Sequence, residues 1–262
     1  MTDTTPARAA ARSRWRLPHP TLVSAIAAAW VVAVAAQVTG RGQALHHDAL
    51  IEGGQPPWAA LGLFLLAWQL MIAAMMLPSS LPLIRLFGRV SANQPKPLRV
   101  KAAFLGGYAA LWSGFGIAAF LGDLGIHRLV DRWHWLAAHP SMIGGAALVL
   151  AGVFQFSSLK DRCLTVCRHP AAYLLPRYRR GVGAAFRLGA GHGVFCVGCC
   201  WALMLVAFAA GVANLWWMAA LTAVMVFEKT GPAGQRGVRL IGVGLVGLGI
   251  LVLANPSWPP FV

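Results

Sequence analysis

The run His192-Gly193-Val194-Phe195-Cys196-Val197-Gly198-Cys199-Cys200-Trp201-Ala202-Leu203-Met204 holds three of the five cysteines in the chain. On a helix, residues three and four apart share a face, so His192, Cys196, Cys199 and Cys200 form one stripe, with Met204 one turn beyond Cys200. Thiolate, imidazole and thioether are the donors that suit a soft ion, Cu(I) above all. One cysteine there would read as a small buried hydrophobe. Three on one face of an apolar segment, with a histidine four residues before the first, read as function, since polar groups inside a membrane helix tend to be functional. A second block, Lys160-Asp161-Arg162-Cys163-Leu164-Thr165-Val166-Cys167-Arg168-His169-Pro170, carries the other two cysteines at i, i+4. On a helix Cys163 and Cys167 can face one ion, less tightly than a CxxC loop would hold it. Met71 and Met75 form an i, i+4 pair beside Met76, for which core filling and thioether ligation are equally compatible readings.

Four further polar residues fall near these blocks: Gln155, Lys160, Glu228 and Lys229. Cu(I) held by two thiolates carries a net negative charge, and Lys160, Arg162, Arg168 and Lys229 favour such a site. Glu228 beside Lys229 at a segment end reads as a snorkelling, salt-bridged pair. His46, His47, Asp48 and Glu52 read as an ordinary solvated loop, because adjacent residues converge poorly on one ion.

The elements that must position these groups are membrane spans. Of 262 residues, 58% are hydrophobic and only 11% charged, the composition of a polytopic membrane protein. Apolar runs over about 21–38, 58–77, 102–121, 141–158, 182–211, 215–227 and 238–254 predict an all-α transmembrane helix bundle of about seven spans. Residues 1–20 form a basic segment, 21–254 one helical domain with a Cys-containing loop at 159–187, and 255–262 a short tail. Ala33-Val34-Ala35 resembles a cleavage site, but an uncleaved first span is the preferred reading. Lys and Arg crowd the N-terminus and the segments at 79–101, 159–187 and 228–239, and are scarce in the intervening ones. That alternation places the N-terminus in the cytoplasm and the C-terminus outside. It also accounts for the formal charge of +15 without nucleic acid, for which no basic domain with interleaved aromatics exists. Cys163 and Cys167 then fall at the cytoplasmic surface, and Cys196 more than ~15 Å along the fifth span, near mid-membrane.

Together these motifs resemble a family. Trp68-x-x-Met71-x-x-x-Met75-Met76-x-Pro78, Gln155-x-x-x-x-Lys160-x-x-Cys163-x-x-x-Cys167-Arg168-x-Pro170, Gly193-x-x-Cys196-x-Gly198-Cys199-Cys200-Trp201 and Glu228-Lys229 are similar to the predicted metal-binding integral membrane proteins of bacteria. The likeness covers about 60–255. It implies metal binding, copper foremost, and supplies no mechanism.

The leading expectation is therefore a protein of the bacterial inner membrane that binds, chaperones or translocates Cu(I), with a metallochaperone or an apo-cuproenzyme as partner. Cys163 and Cys167 would receive the ion; Cys196, Cys199 and Cys200 would hold it, with His192, Met71 and Met75 as secondary ligands. Zinc remains open if four ligands converge tetrahedrally. Two other classes compete. A membrane thiol-disulfide oxidoreductase would exchange electrons between the two blocks, although i, i+4 cysteines on one helix sit near the ~6.8 Å limit of Cα separation for a disulfide. A structural or assembly subunit would use the cysteines only for packing. No phosphate loop, HExxH or Ser/His/Asp signature supports an ATP-driven pump or a hydrolase.

Overall fold

A computed structural model describes residues 20–40, 56–139, 141–210, 214–231 and 234–255. His46, His47, Asp48 and Glu52, the basic segment up to residue 19 and the tail beyond 255 lie outside the described residues. All regular elements described are helices: α1 (Pro20–Val38), α2 (Pro57–Val90), α3 (Pro97–Arg132), α4 (His134–Ala137), α5 (Ser141–Phe154), α6 (Ser158–Arg168), α7 (Pro170–Arg177), α8 (Val182–Ala209), α9 (Leu215–Thr230) and α10 (Gly234–Ala254). The chain is an all-α polytopic bundle. Among the described residues α1, α2, α3, α8 and α10 are each long and apolar enough to cross a bilayer, and α5 with α6 makes a sixth candidate bent by 70°. The expected sixth span, α9, has 16 residues, ~24 Å of helix against a hydrocarbon core of ~30 Å.

Several boundaries differ from those read in the sequence, each for a physical reason. The second span does not end at Pro78: α2 runs on through Pro78 and Pro82 to Val90. A proline lacks the N–H that would bond the carbonyl four residues back, and in a membrane that carbonyl must find another donor. Here the Trp30 indole of α1 donates to the Ala74 carbonyl at 3.2 Å. The stretch 79–101 is thus mostly helix rather than loop. Likewise α3 extends from 97 to 132 and absorbs much of the expected loop at 122–140. The fourth span stops at Phe154, and Gln155 lies in the turn that follows. The chain restarts at Ser157, whose hydroxyl accepts the Lys160 N–H at 3.1 Å and so caps α6. The cysteines at 163 and 167 accordingly sit on a helix folded back against the bundle, and not on an exposed loop.

The most buried long helix is α8. It packs on α3, α5 and α6. Its contact with α3 is backbone to backbone: a Cβ on Gly107 would overlap the Phe186 carbonyl, and one on Gly189 the Phe104 carbonyl. Small residues permit this approach where no water exists to drive side-chain burial. The contact fixes the depth of the cysteine stripe relative to α3. Gly189→Val is expected to destabilise the bundle by about 1–3 kcal/mol through overpacking. Gly106→Ala, whose new methyl would meet nothing within 4 Å, should be neutral or slightly stabilising; thermal unfolding in detergent compares the two.

Candidate metal centre

Five helices supply the centre. From α8 come His192, Cys196, Cys199 and Cys200, all buried. From α6 come buried Cys163 and half-buried Cys167, from α2 Met76, Ser79 and Ser80, from α3 Tyr108, and from α9 Lys229. All five cysteines are free thiols.

The sulfurs are arranged in pairs. Cys167 Sγ of α6 lies 3.9 Å from Cys199 Sγ of α8. Cys200 Sγ lies 3.8 Å from Met76 Sδ of α2. With metal–sulfur bonds of ~2.3 Å, two sulfurs on one ion stand ~3.8 Å apart at a tetrahedral angle and ~4.6 Å apart if collinear. Both pairs could therefore bracket one ion with little movement. Among the described residues no three His, Cys, Asp or Glu side chains converge closely enough to hold an ion together. The donor set fits an ion content with two soft ligands better than zinc, which asks for four.

Cys163 and Cys167 both turn toward α8, at the adjacent residues Gly198 and Cys199. Cys163 Sγ abuts α8 at Gly198, where an added Cβ would stand 2.6 Å from the sulfur. The Cys199 and Cys200 thiols donate to the Cys196 carbonyl, at 3.1 and 2.7 Å. Met71 and Met75 are buried in the core, while the thioether brought to a thiol is that of Met76. Trp68, which precedes them by one turn, lies over Gly116, where a Cβ would come within 2.8 Å of the indole. That gap lets its N–H reach the Trp112 carbonyl at 2.9 Å and locks α2 to α3.

Cys196 has a different environment. Its sulfur accepts from Lys229 Nζ at 3.2 Å and lies 3.1 Å from the Tyr108 hydroxyl. Lys229 also donates to Ser79 Oγ at 3.0 Å. Tyr108 stacks on His192, with ring centroids 5.5 Å apart. His192 Nε2 lies 3.3 Å from Ser80 Oγ, while its Nδ1 is buried without a partner. The histidine thus belongs to a polar network alongside the sulfurs. Cys196, Cys199, Cys200 and Cys167 all lie within electrostatic reach of Lys229. A buried ammonium needs negative charge close by, and thiolates, or an anionic metal–thiolate complex, are the groups within reach.

Glu228 and Lys229 are not a snorkelling pair. Both are buried and they point to different partners. Glu228 Oε2 accepts from Lys160 Nζ at 2.7 Å, with both side chains essentially inaccessible. Adjacent residues on a helix diverge by about 100° and rarely meet, and α6 brings Lys160 to the carboxylate instead. Gln155 lies close to Glu228, yet neither its amide nor Glu228 Oε1 is in hydrogen-bonding alignment. Arg168, at the other end of α6, donates to the Glu228 carbonyl at 2.7 Å and the Gly234 carbonyl at 3.2 Å. These contacts place α6 so that Cys167 meets Cys199.

Sequence reasoning missed Ser79, Ser80 and Tyr108. The two serines follow Pro78 and so read as loop. Tyr108 was detectable: a tyrosine inside an apolar span usually finds a hydrogen-bonding partner for its hydroxyl.

The copper chaperone family PpoB2 matches residues 65–252 of the chain. No curated protein matches significantly, and neither does any solved structure.

The ion pair gives a direct test of how α6 is held. Lys160→Met alone should cost about 3–5 kcal/mol by leaving Glu228 charged and unpaired, whereas Lys160→Met with Glu228→Leu should recover most of that loss. Thermal unfolding of the three forms in detergent checks the order.

Proposed function

The chain belongs to the copper chaperone family, and from that membership and the paired sulfurs we propose that it carries Cu(I) within a bacterial inner membrane, handing the ion between two-sulfur stations. The observation that carries the reading is the Cys167–Cys199 pair, 3.9 Å apart and contributed by two different helices. One partner sits on the short bent helix α6 and the other in the buried span α8, so a single ion there would join a peripheral element to the core. The Cys200–Met76 pair is the next station inward, of mixed thiolate and thioether character. A soft monovalent ion with low coordination number can pass from one pair to the next by gaining a ligand before losing another.

Charge supports the same reading. Cu(I) with two thiolates carries −1, and the Lys229 ammonium beside Cys196 brings the buried cluster to neutrality. Lys160 does not contribute, because Glu228 already balances it. Lys229 and Tyr108 are groups that hold and neutralise a loaded site without ligating the ion. Cys163, behind Gly198, is the thiol from which Cys167 would be loaded. The basic segments at 79–101, 159–187 and 228–239 favour a topology in which α6 and α7 face the cytoplasm, so that a cytoplasmic metallochaperone would deliver there and an apo-cuproenzyme would receive.

Elemental analysis of the protein purified anaerobically under reducing conditions tests the proposal. Copper should accompany the native chain and be lost when Cys167 and Cys199 are both changed to Ser. Zinc lost in the same way would retain the site and overturn the metal; absence of metal even after Cu(I) loading would overturn the reading. Lys229→Gln should weaken Cu(I) affinity by ~10–100-fold, the usual effect of removing a group that supports the ligands, as measured by competition with a Cu(I) chelator.

A further inference from the structure

A cavity of about 380 Å³ lies between α7 and the first half of α8, lined by Tyr173, Arg177 and Arg179 and, on α8, by Ala184, Arg187, Leu188, Gly191 and Phe195. Its chemistry is divided. Three guanidiniums surround one end, and no carboxylate is among the lining residues. Arg177 is held in place, its guanidinium 5.0 Å above the Tyr173 ring and its Nη1 donating to the Tyr173 carbonyl at 3.3 Å. Arg179 donates to the Tyr178 carbonyl, also at 3.3 Å. The other end is apolar: Leu188, Gly191 and Phe195 continue up a helix long and apolar enough to span the membrane. From Arg187 to Phe195 the helix rises ~12 Å. Burial pushes the Tyr173 phenol up to about 12, with the Arg177 guanidinium working against it, so the hydroxyl keeps its proton and donates to the Leu188 carbonyl at 2.8 Å. That bond fixes the wall of the cavity.

We infer that this cavity is a binding site for an anionic phospholipid, its phosphate held by Arg177, Arg179 and Arg187 and the start of an acyl chain laid against Leu188, Gly191 and Phe195. The charge selects the anion. Guanidinium forks match phosphate oxygens in pairs, and basic pockets at the membrane boundary bind anionic headgroups. The apolar depth selects the lipid over a soluble anion, which would leave the inner ~12 Å of the slot without a complementary surface. The neighbouring apolar side chain of Val194 is exposed, so an acyl chain leaving the slot continues onto a lipid-facing surface.

The test uses the full chain, delipidated in detergent and re-equilibrated with phosphatidylcholine vesicles containing phosphatidylglycerol; retained lipid is counted by native mass spectrometry. The native chain should retain phosphatidylglycerol selectively. Changing Arg177, Arg179 and Arg187 to Gln should lower that retention by about one to two orders of magnitude. A control with Arg99, Arg236 and Arg239 changed to Gln removes the same charge from exposed positions elsewhere and should retain the lipid. Ala184→Phe fills the slot while leaving every arginine, and should also lose retention, which guards against misfolding of the triple variant. The inference is overturned if the control and the triple variant lose lipid equally, if Ala184→Phe binds as the native chain does, if phosphatidylcholine is retained as well as phosphatidylglycerol, or if inorganic phosphate displaces the lipid completely.

Discussion

The structure depends on one buried cation. Lys229 is sequestered in the bundle with its ammonium against the Cys196 sulfur and the Ser79 hydroxyl. A charge in that position is tolerated only where the surroundings supply an opposite one. Glu228, its neighbour in sequence, is committed to Lys160, which leaves the sulfurs of α6 and α8, as thiolate or as an anionic metal complex, as the balancing groups. The cysteines and the lysine are therefore one electrostatic unit, and the helices are arranged to keep water out of it. Trp68, Trp112, Met71, Met75 and Met76 close it from α2 and α3, all essentially inaccessible.

The division between what sequence could and could not reveal follows from the range of the interactions. Helical periodicity is local, so the α8 stripe of His192, Cys196, Cys199 and Cys200 was legible, as was the all-α bundle. The partners of those residues are set by inter-helix packing. Cys167 meets Cys199 because α6 turns back after Gln155, and no local signal encodes a 70° bend. Met76 meets the Cys200 thiol of another helix, a pairing that spacing along α2 does not encode. The prolines misled most. Pro78 looks like a terminator until the Trp30 indole of another helix is seen to serve the carbonyl that it frees.

The sulfur pairs also limit what the centre can do. Each pairing joins two helices, Cys167 with Cys199 across α6 and α8, and Cys200 with Met76 across α8 and α2. Neither is a closed tetrahedral cage of the kind that makes a structural zinc site contribute folding energy outright. Two-donor sites of this kind would leave an ion free to exchange, as the proposed carrier role requires. Membership of the copper chaperone family accords with that chemistry.

The short helix α6 carries a mechanical consequence. Its Lys160 is tied to α9 through the Glu228 carboxylate, and its Arg168 to α9 and the start of α10 through the Glu228 and Gly234 carbonyls. Against α8 it packs extensively, with Cys167 Sγ on Cys199 Sγ and Cys163 on Gly198. Lys229 rides on the same helix, α9. Cys167 and the Lys229 ammonium thus sit on elements joined to each other by these polar ties. The spacing of the sulfurs and the position of the countercharge therefore depend on one set of contacts, and a substitution at Glu228 or Arg168 reaches both.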